Sequence, residues 1–396
     1  MRAVLIISYY WPPLGGPGAL RPVKFAKYLP QFGIKPIILT RKSIAYHSLD
    51  EELENDVLKV KTLKTETLDP ARLLYLAGMR IYRPKMWQRP LKQGLNFPDH
   101  KIFWLPFAYQ AARAIAFDSI LVTAPPFSAF ITGYLISVTT GKPLILDFRD
   151  AWLEFPFMPY QSGVQKRFIR YWEQKVTAHA HRIIVVDDNI KESLCRKYPA
   201  CASKICVIPN GYDPDDFVPA YTPESFTLSY LGTVREERDP RTVLEAIALF
   251  KEKYHLRTDE ITLKFIGHVE PRYQNELSRH RFVALTGHLP YKEAIKEFCA
   301  SHVGILITTG SRFFFPSRQN EYLASGLPII VCGRSVGIHL LDKAFRQGYP
   351  GWILDYNDIE GMAEKLNELH RRWKKGQITK GKNPYHLYTR KNLTKT

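Results

Sequence analysis

Short apolar runs alternate with amphipathic stretches along most of the chain. Residues 3–8, built on Leu5-Ile6-Ile7, read as a first buried strand, 21–32 as an amphipathic helix, and 35–40 as a second strand. The alternation returns at 119–123 (strand), 128–139 (helix), 143–148 (strand), 165–180 (helix) and 182–186 (strand). Such a βαβ rhythm predicts an α/β fold with a parallel sheet and helices on both faces. Between 69 and 116 the rhythm breaks into a basic, aromatic segment containing Gly78-Met79-Arg80-Ile81-Tyr82-Arg83-Pro84-Lys85-Met86-Trp87.

A turn-rich cluster, Pro209-Asn210-Gly211-Tyr212-Asp213-Pro214, then restarts the pattern. Strands are expected at 228–231, 263–267, 283–286, 303–307 and 329–331, with helices at 241–254, 291–300 and 359–373. The expected organisation is therefore a first doubly wound domain over 1–208, a second over 209–375, and a basic tail over 376–396. Ligands of such domains bind at the carboxyl ends of the strands.

Size and composition agree with this reading. A chain of 396 residues exceeds one compact core, and 45% hydrophobic with 13% aromatic residues marks a globular protein. The N-terminal apolar run is too short for a signal peptide, and the mildly apolar stretch 129–138 carries Thr and Gly and cannot span a bilayer. Five cysteines (195, 201, 206, 299 and 332) include no CxxC pair, so neither a disulfide framework nor a zinc site follows, and a cytoplasmic chain is expected. Asn392-Leu393-Thr394 matches a glycosylation sequon by chance on that reading. Net charge is +18, with 28 Lys and Arg against 16 Asp and Glu in residues 1–200, and 28 against 22 in the remainder. A basic excess implies an anionic partner: nucleic acid, lipid headgroups or phosphorylated substrates.

Several motifs fall where this fold keeps its chemistry. After the first strand, Pro12-Pro13-Leu14-Gly15-Gly16-Pro17-Gly18 lets backbone N–H groups approach phosphate. It is neither GxGxxG, since Arg21 stands where the third glycine belongs, nor a P-loop. Arg149 and Asp150 follow a buried strand, where they either orient a sugar hydroxyl or the acceptor, or form a structural pair. His179 and His181, two apart on a helix, splay away from each other and do not suit a metal. In the second half Arg235 and Arg238 follow Leu231-Gly232-Thr233, in position for a diphosphate or as plain surface charge. Gly267 and Gly287, each ending a strand, fit the close approach of a flat base. Arg318 and Glu321 share a helix face, where Arg suits phosphate oxygens and the carboxylate ribose hydroxyls; the plain alternative is an i,i+3 ion pair.

In this order and spacing, Pro12-Pro13-Leu14-Gly15-Gly16, Ile208-Pro209-Asn210-Gly211 and Glu321-Tyr322-Leu323-Ala324-Ser325-Gly326-Leu327-Pro328 resemble the nucleotide-sugar glycosyltransferases of family 4. The resemblance runs through nearly the whole chain. It implies a GT-B fold, two facing Rossmann-like doubly wound domains with an interdomain cleft, and a retaining, metal-independent hexosyl- or N-acetylhexosaminyl-transfer. It assigns Glu321 to the donor ribose, Arg238 and Arg318 to the diphosphate of a UDP- or GDP-type donor, and Gly16 to the approach from the first domain. Gly15 and Arg235 complete the expected donor site; Asp150 and Arg149 are the expected catalytic pair. No cofactor is implied beyond the nucleotide sugar as co-substrate.

Three positions depart from the family pattern: Phe313 where a second Glu is common, Thr233 where an Arg is common, and Arg149 where a His is common. The acceptor implied is a glycan or a lipid-linked glycan in surface polysaccharide or glycolipid synthesis. That gives the segment 69–116 a reason to dock on an anionic inner leaflet, with Trp87, Phe103, Trp104 and Phe107 as a wedge, or else to pack its aromatics inward. Two other readings stay open: a sugar-nucleotide epimerase or hydrolase on the same fold, and a non-catalytic basic binding protein. No nucleic-acid partner is expected, because the basic residues form no recognisable RNA- or DNA-binding module.

Overall fold

The computed structural model describes residues 1–46, 48–81, 98–154, 162–217, 221–308 and 318–396. They form two compact units, Met1–Asn210 with Arg390–Thr396, and Gly211–Thr389. The stretch 376–396 is thus not a separate tail. Its first part belongs to the second unit, where the Gly381 N–H donates to the Gly326 carbonyl at 2.7 Å.

The first unit is built on a seven-stranded sheet: β1 (Arg2–Ile7), β2 (Ile34–Arg41), β3 (Lys61–Thr65), β4 (Ser119–Ala124), β5 (Leu144–Phe148), β6 (Arg182–Val185) and β7 (Ile205–Val207). Every pairing is parallel, in the order β3-β2-β1-β4-β5-β6-β7. Its helices are α1 (Pro17–Tyr28), α2 (Glu52–Asn55), α3 (Pro70–Leu76), α4 (Leu105–Arg113), α5 (Ser128–Thr140), α6 (Gly163–His179) and α7 (Asp188–Lys197). Leu5, Ile6 and Ile7 are fully buried, as expected where helices cover both faces of a parallel sheet. Pro17 at the first helical position starts α1 earlier than the amphipathic pattern suggests. A capping box between Ser162 and Gln165 starts α6.

In the second unit β8 (Phe226–Leu231), β9 (Ile261–Ile266), β10 (Val283–Gly287), β11 (Val303–Ile307), β12 (Ile329–Cys332) and β13 (Gly351–Leu354) pair in parallel in the order β10-β9-β8-β11-β12-β13. The helices are α8 (Arg241–Lys253), α9 (Pro271–Leu277), α10 (Tyr291–Cys299), α11 (Gln319–Ser325), α12 (His339–Arg346) and α13 (Ile359–Lys374). A last helix, α14 (Arg390–Lys395), packs on α1 of the first unit. Both sheets reverse their winding between the first and fourth strands of the unit, at β1/β4 and β8/β11, which marks the ligand-binding crevice of each.

The strands missing from the sequence reading are edge or short ones. β3 reads Lys-Thr-Leu-Lys-Thr and buries little, and β13 is half-buried throughout. The segment 69–116 differs more. Trp104, read from the sequence either as part of a membrane wedge or as packed inward, packs inward: it is 1% exposed, and its Nε1–H donates to Thr65 Oγ1 at 2.7 Å. Phe107 is half-buried and Phe103 exposed; Trp87 lies outside the described residues. No helix among the described residues is long and apolar enough to cross a membrane.

One ion pair fixes the first unit. Arg21, 2% exposed in α1, meets Asp147 at the end of β5, with Nη2 to Oδ1 at 2.8 Å and Nε to Oδ2 at 3.0 Å. The remaining donors go to the Ile208 carbonyl (2.9 Å) and the Pro209 carbonyl (3.0 Å), and Thr123 Oγ1 donates to Asp147 at 2.8 Å. Removing one partner of a buried pair costs about 3–5 kcal/mol, since the other charge is left desolvated and alone. Asp147→Asn and Arg21→Ala are therefore expected to lower unfolding free energy by about that amount in urea titrations. A loss below about 1 kcal/mol in both would mean that water reaches the pair.

Candidate active site

At the carboxyl edge of the first sheet, the loop after β1 and the residues after β5 come together. Gly15 is not free to bind phosphate through its amide: its N–H donates to the Ser48 carbonyl at 3.1 Å. Gly16, which precedes α1, has an N–H with no hydrogen bond to a described residue. The Arg149 guanidinium turns back into its own fold. Nη1 donates to the Gly18 carbonyl at 2.6 Å, Nε to the Ala124 carbonyl at 3.3 Å, and Nη2 to the Pro125 carbonyl. It thereby ties the start of α1 to the loop after β4.

Of the two alternatives drawn from the sequence, the structural Arg149–Asp150 pair does not form. No ion pair joins Arg149 to Asp150 among the described residues, and the guanidinium is occupied by carbonyls. Asp150 is half-buried and accepts no hydrogen bond from a described residue. Burial pushes its carboxyl up to about 7; the Arg149 charge opposes this and the Asp187 charge adds to it. A carboxyl that titrates near neutrality at a strand end is suited to proton transfer or to holding a hydroxyl. His179 has a structural place instead, with Nε2 2.9 Å from Ser137 Oγ and its ring edge-on to Tyr134.

At the matching edge of the second sheet, Glu321 in the first turn of α11 is 2% exposed. Its Oε1 accepts from the Tyr291 hydroxyl at 3.2 Å, and Oε2 is buried with no hydrogen-bond partner among the described residues. Arg318 lies over the Tyr291 ring, 5.4 Å from its centroid, and its Nη1 is likewise buried and unpartnered. The i,i+3 ion pair does not form, because Tyr291 stands with both. Two buried, unmatched groups of opposite charge remain, each with hydrogen-bonding capacity to spare.

Arg238 joins this group from the loop after β8. Its Nη1 donates weakly to the Thr233 carbonyl at 3.4 Å. Burial, helped by Tyr230, raises the Tyr322 phenol well above its ordinary value, while the Leu231 backbone hydrogen bond and the charges of Arg238 and Arg318 pull it down. Arg235 is engaged with Glu237 at 3.2 Å. The glycines at this edge admit backbone: a Cβ on Gly267 would lie 2.3 Å from the Gly232 carbonyl, and one on Gly333 1.9 Å from the Thr308 carbonyl. At Gly267 the close neighbour is thus the next strand's own backbone, where a ligand base was expected. Beside Gly333, Thr308 Oγ1 is a third buried atom without a partner among the described residues. Phe313 lies outside the described residues.

Sequence reasoning missed Tyr291 and Thr308. Neither sits in a recognisable motif, and Tyr291 reaches Glu321 across 30 residues of chain. A cavity of about 650 Å³ in this unit lies at the opposite end of the sheet, against Ser301, His302, Leu327 and Pro328, and is separate from these groups.

Comparison with known proteins agrees with the fold. The fold is similar to sucrose-phosphate synthase from Thermosynechococcus elongatus (TM-score 0.67, 14% identity, covering 100% of this chain and 96% of that one). It is also similar to Anabaena HepE in complex with UDP (TM-score 0.59, 13% identity, 100% and 94%). A Listeria monocytogenes protein named as a UDP-N-acetylglucosamine 2-epimerase shares it too (TM-score 0.60, 14% identity, 99% and 93%). At these identities the likeness is one of fold. No curated protein matches the chain in sequence. Residues 23–216 match the family model Glycosyltransferase Family 4, and residues 225–372 match Glycosyl transferases group 1. The chain belongs to the family 4 glycosyltransferases and has their GT-B fold.

Proposed function

We propose that this glycosyltransferase takes a sugar from a nucleoside diphosphate sugar, with retention and without a bound metal, and passes it to a lipid-linked glycan at the inner face of the cell membrane. The observation that carries the donor half is the pair of unmatched buried groups, Glu321 Oε2 and Arg318 Nη1. A ribose hydroxyl supplies the donor that the carboxylate lacks, and diphosphate oxygens supply the acceptors that the guanidinium lacks. Arg318 and Arg238 then stabilise charge on the departing diphosphate, electrostatic work that a metal cation does in other enzymes. In the first unit Asp150 holds the acceptor hydroxyl. Arg149 acts as a positioning residue for the loops it ties. UDP is the first nucleotide to try, because HepE, of the same fold, is seen with UDP and with UDP-glucose.

Thermal shift with UDP, GDP, ADP and CMP tests the donor reading. A nucleoside diphosphate at a hundred times its Kd adds about 2.7 kcal/mol and raises Tm by several degrees. Loss of a charged hydrogen bond worth about 1.5–3 kcal/mol makes Glu321→Ala bind roughly 10- to 100-fold more weakly. An undiminished shift in that variant removes Glu321 from the ribose. Rapid turnover of a UDP-sugar to its epimer or free sugar without acceptor would favour the epimerase or hydrolase reading.

The Asp150 carboxyl is ionised above about 7 and protonated below, so kcat/KM is expected to fall on the acid side with an apparent pKa near 7. Asp150→Asn should flatten that limb and lower kcat while leaving nucleotide affinity unchanged. An unaltered limb in the variant assigns it to another group.

A further inference from the structure

We propose that the exposed face of α6 docks the enzyme on an anionic lipid bilayer. This rests on the lipid-linked acceptor reading and gives it a surface other than the segment 69–116. Helix α6 buries Gln165, Ile169, Glu173, Val176 and Thr177 against the fold. Its outer face presents Lys166, Arg167 and Arg170, all exposed, with Val164 at 72% and Tyr171 at 53% exposure among them. None of these three cations forms an ion pair with a described residue.

Among the described residues no carboxylate pairs with those three cations. The helix's one acid, Glu173, points inward and is held by Lys197 Nζ and the Tyr198 hydroxyl, each at 2.9 Å. One turn on, Lys175 donates to the Tyr171 hydroxyl at 2.9 Å and lies 5.2, 5.4 and 5.5 Å from the ring centroids of Tyr171, Trp172 and Tyr134. This holds Tyr171 upright between the cations.

Helix stability does not explain the placement. The opening turns carry cations and no acid, the reverse of what the helix dipole favours. A bilayer surface does explain it. Headgroup phosphates pair with Lys and Arg, while a valine and a tyrosine at the same level enter the headgroup–acyl boundary. A nucleic-acid backbone would use the charges but not the exposed apolar pair. The location also fits. A helix that follows β5 begins at the carboxyl edge of the sheet, so this end of α6 lies on the rim that carries Asp150, where a membrane-borne acceptor must arrive.

The test is flotation of the full chain with vesicles of equimolar phosphatidylglycerol and phosphatidylcholine, or of phosphatidylcholine alone. The wild type should bind only the anionic vesicles. At about fivefold per charge, the triple variant Lys166→Ala/Arg167→Ala/Arg170→Ala should bind on the order of 100-fold more weakly. Arg371→Ala/Lys375→Ala/Lys382→Ala removes the same charge from exposed positions of the second unit and should bind as the wild type does.

Equal binding by the α6 triple variant and the wild type overturns the proposal, as does an equal loss in the control, which would mean that net charge alone is read. Failure of the wild type to bind anionic vesicles overturns it too. So does capture of a DNA duplex, lost in the α6 variant, without vesicle binding. The UDP thermal shift, unchanged in both triple variants, shows that they are folded. Efficient transfer to a soluble glycan, with vesicle binding intact, would count against the lipid-linked acceptor and leave the surface standing.

Discussion

The buried Arg21–Asp147 pair is the constraint on which the first unit depends. One guanidinium joins the second turn of α1, the end of β5 and the chain leaving β7, and Thr123 braces the carboxylate from β4. Desolvating two charges is expensive, and the arrangement is tolerable because nearly every donor and acceptor is met. Its consequence is positional. The loop from Gly15 to Gly18 cannot drift relative to the strand end that carries Arg149 and Asp150, because the helix after that loop is bolted to the residue two before Arg149. The arginine that spoils a dinucleotide fingerprint is thus the residue that holds the glycine-rich loop in place.

The two sheets share a winding order and use their arginines differently. In the first unit Arg149 gives its donors to the carbonyls of Gly18, Ala124 and Pro125, so it organises loops and leaves Asp150 as the group with unspent chemistry. In the second, Arg318 and Glu321 are kept apart by a tyrosine that contacts both, and each keeps a buried atom unmatched. A buried polar group without a partner costs about 1–3 kcal/mol, which folding alone would not retain. Such groups are expected where a ligand completes them. The difference, loops fixed by one arginine and a buried donor left unmatched on another, follows from what each guanidinium finds within reach among the described residues.

Much of this was legible in the sequence. Continuous apolar runs such as Leu5-Ile6-Ile7 and Ile329-Ile330-Val331 mark parallel strands because both faces of such a sheet are buried. Once the βαβ order is read, topology sends ligands to the strand ends, and Arg149, Asp150, Arg238, Arg318 and Glu321 all lie there. Less was legible where burial runs against residue type. The sequence left the aromatics around Trp104 open between a surface wedge and inward packing; Trp104 is buried, and Thr65, on an edge strand too polar to be noticed, accepts its indole N–H.

What the sequence by itself determined was therefore the central strands and the longer helices, their doubly wound alternation, and the edge of each sheet where chemistry belongs. Periodicity and turn residues are local properties, and they carry that information without reference to the rest of the chain. What only the tertiary structure decided was partnership. Arg21 meets Asp147 across 126 residues, Arg149 meets Gly18 across 131, and Tyr291 meets Glu321 across 30. Sheet order brings such groups together, and a charged side chain becomes a brace or a binding group according to the acceptors that order places beside it.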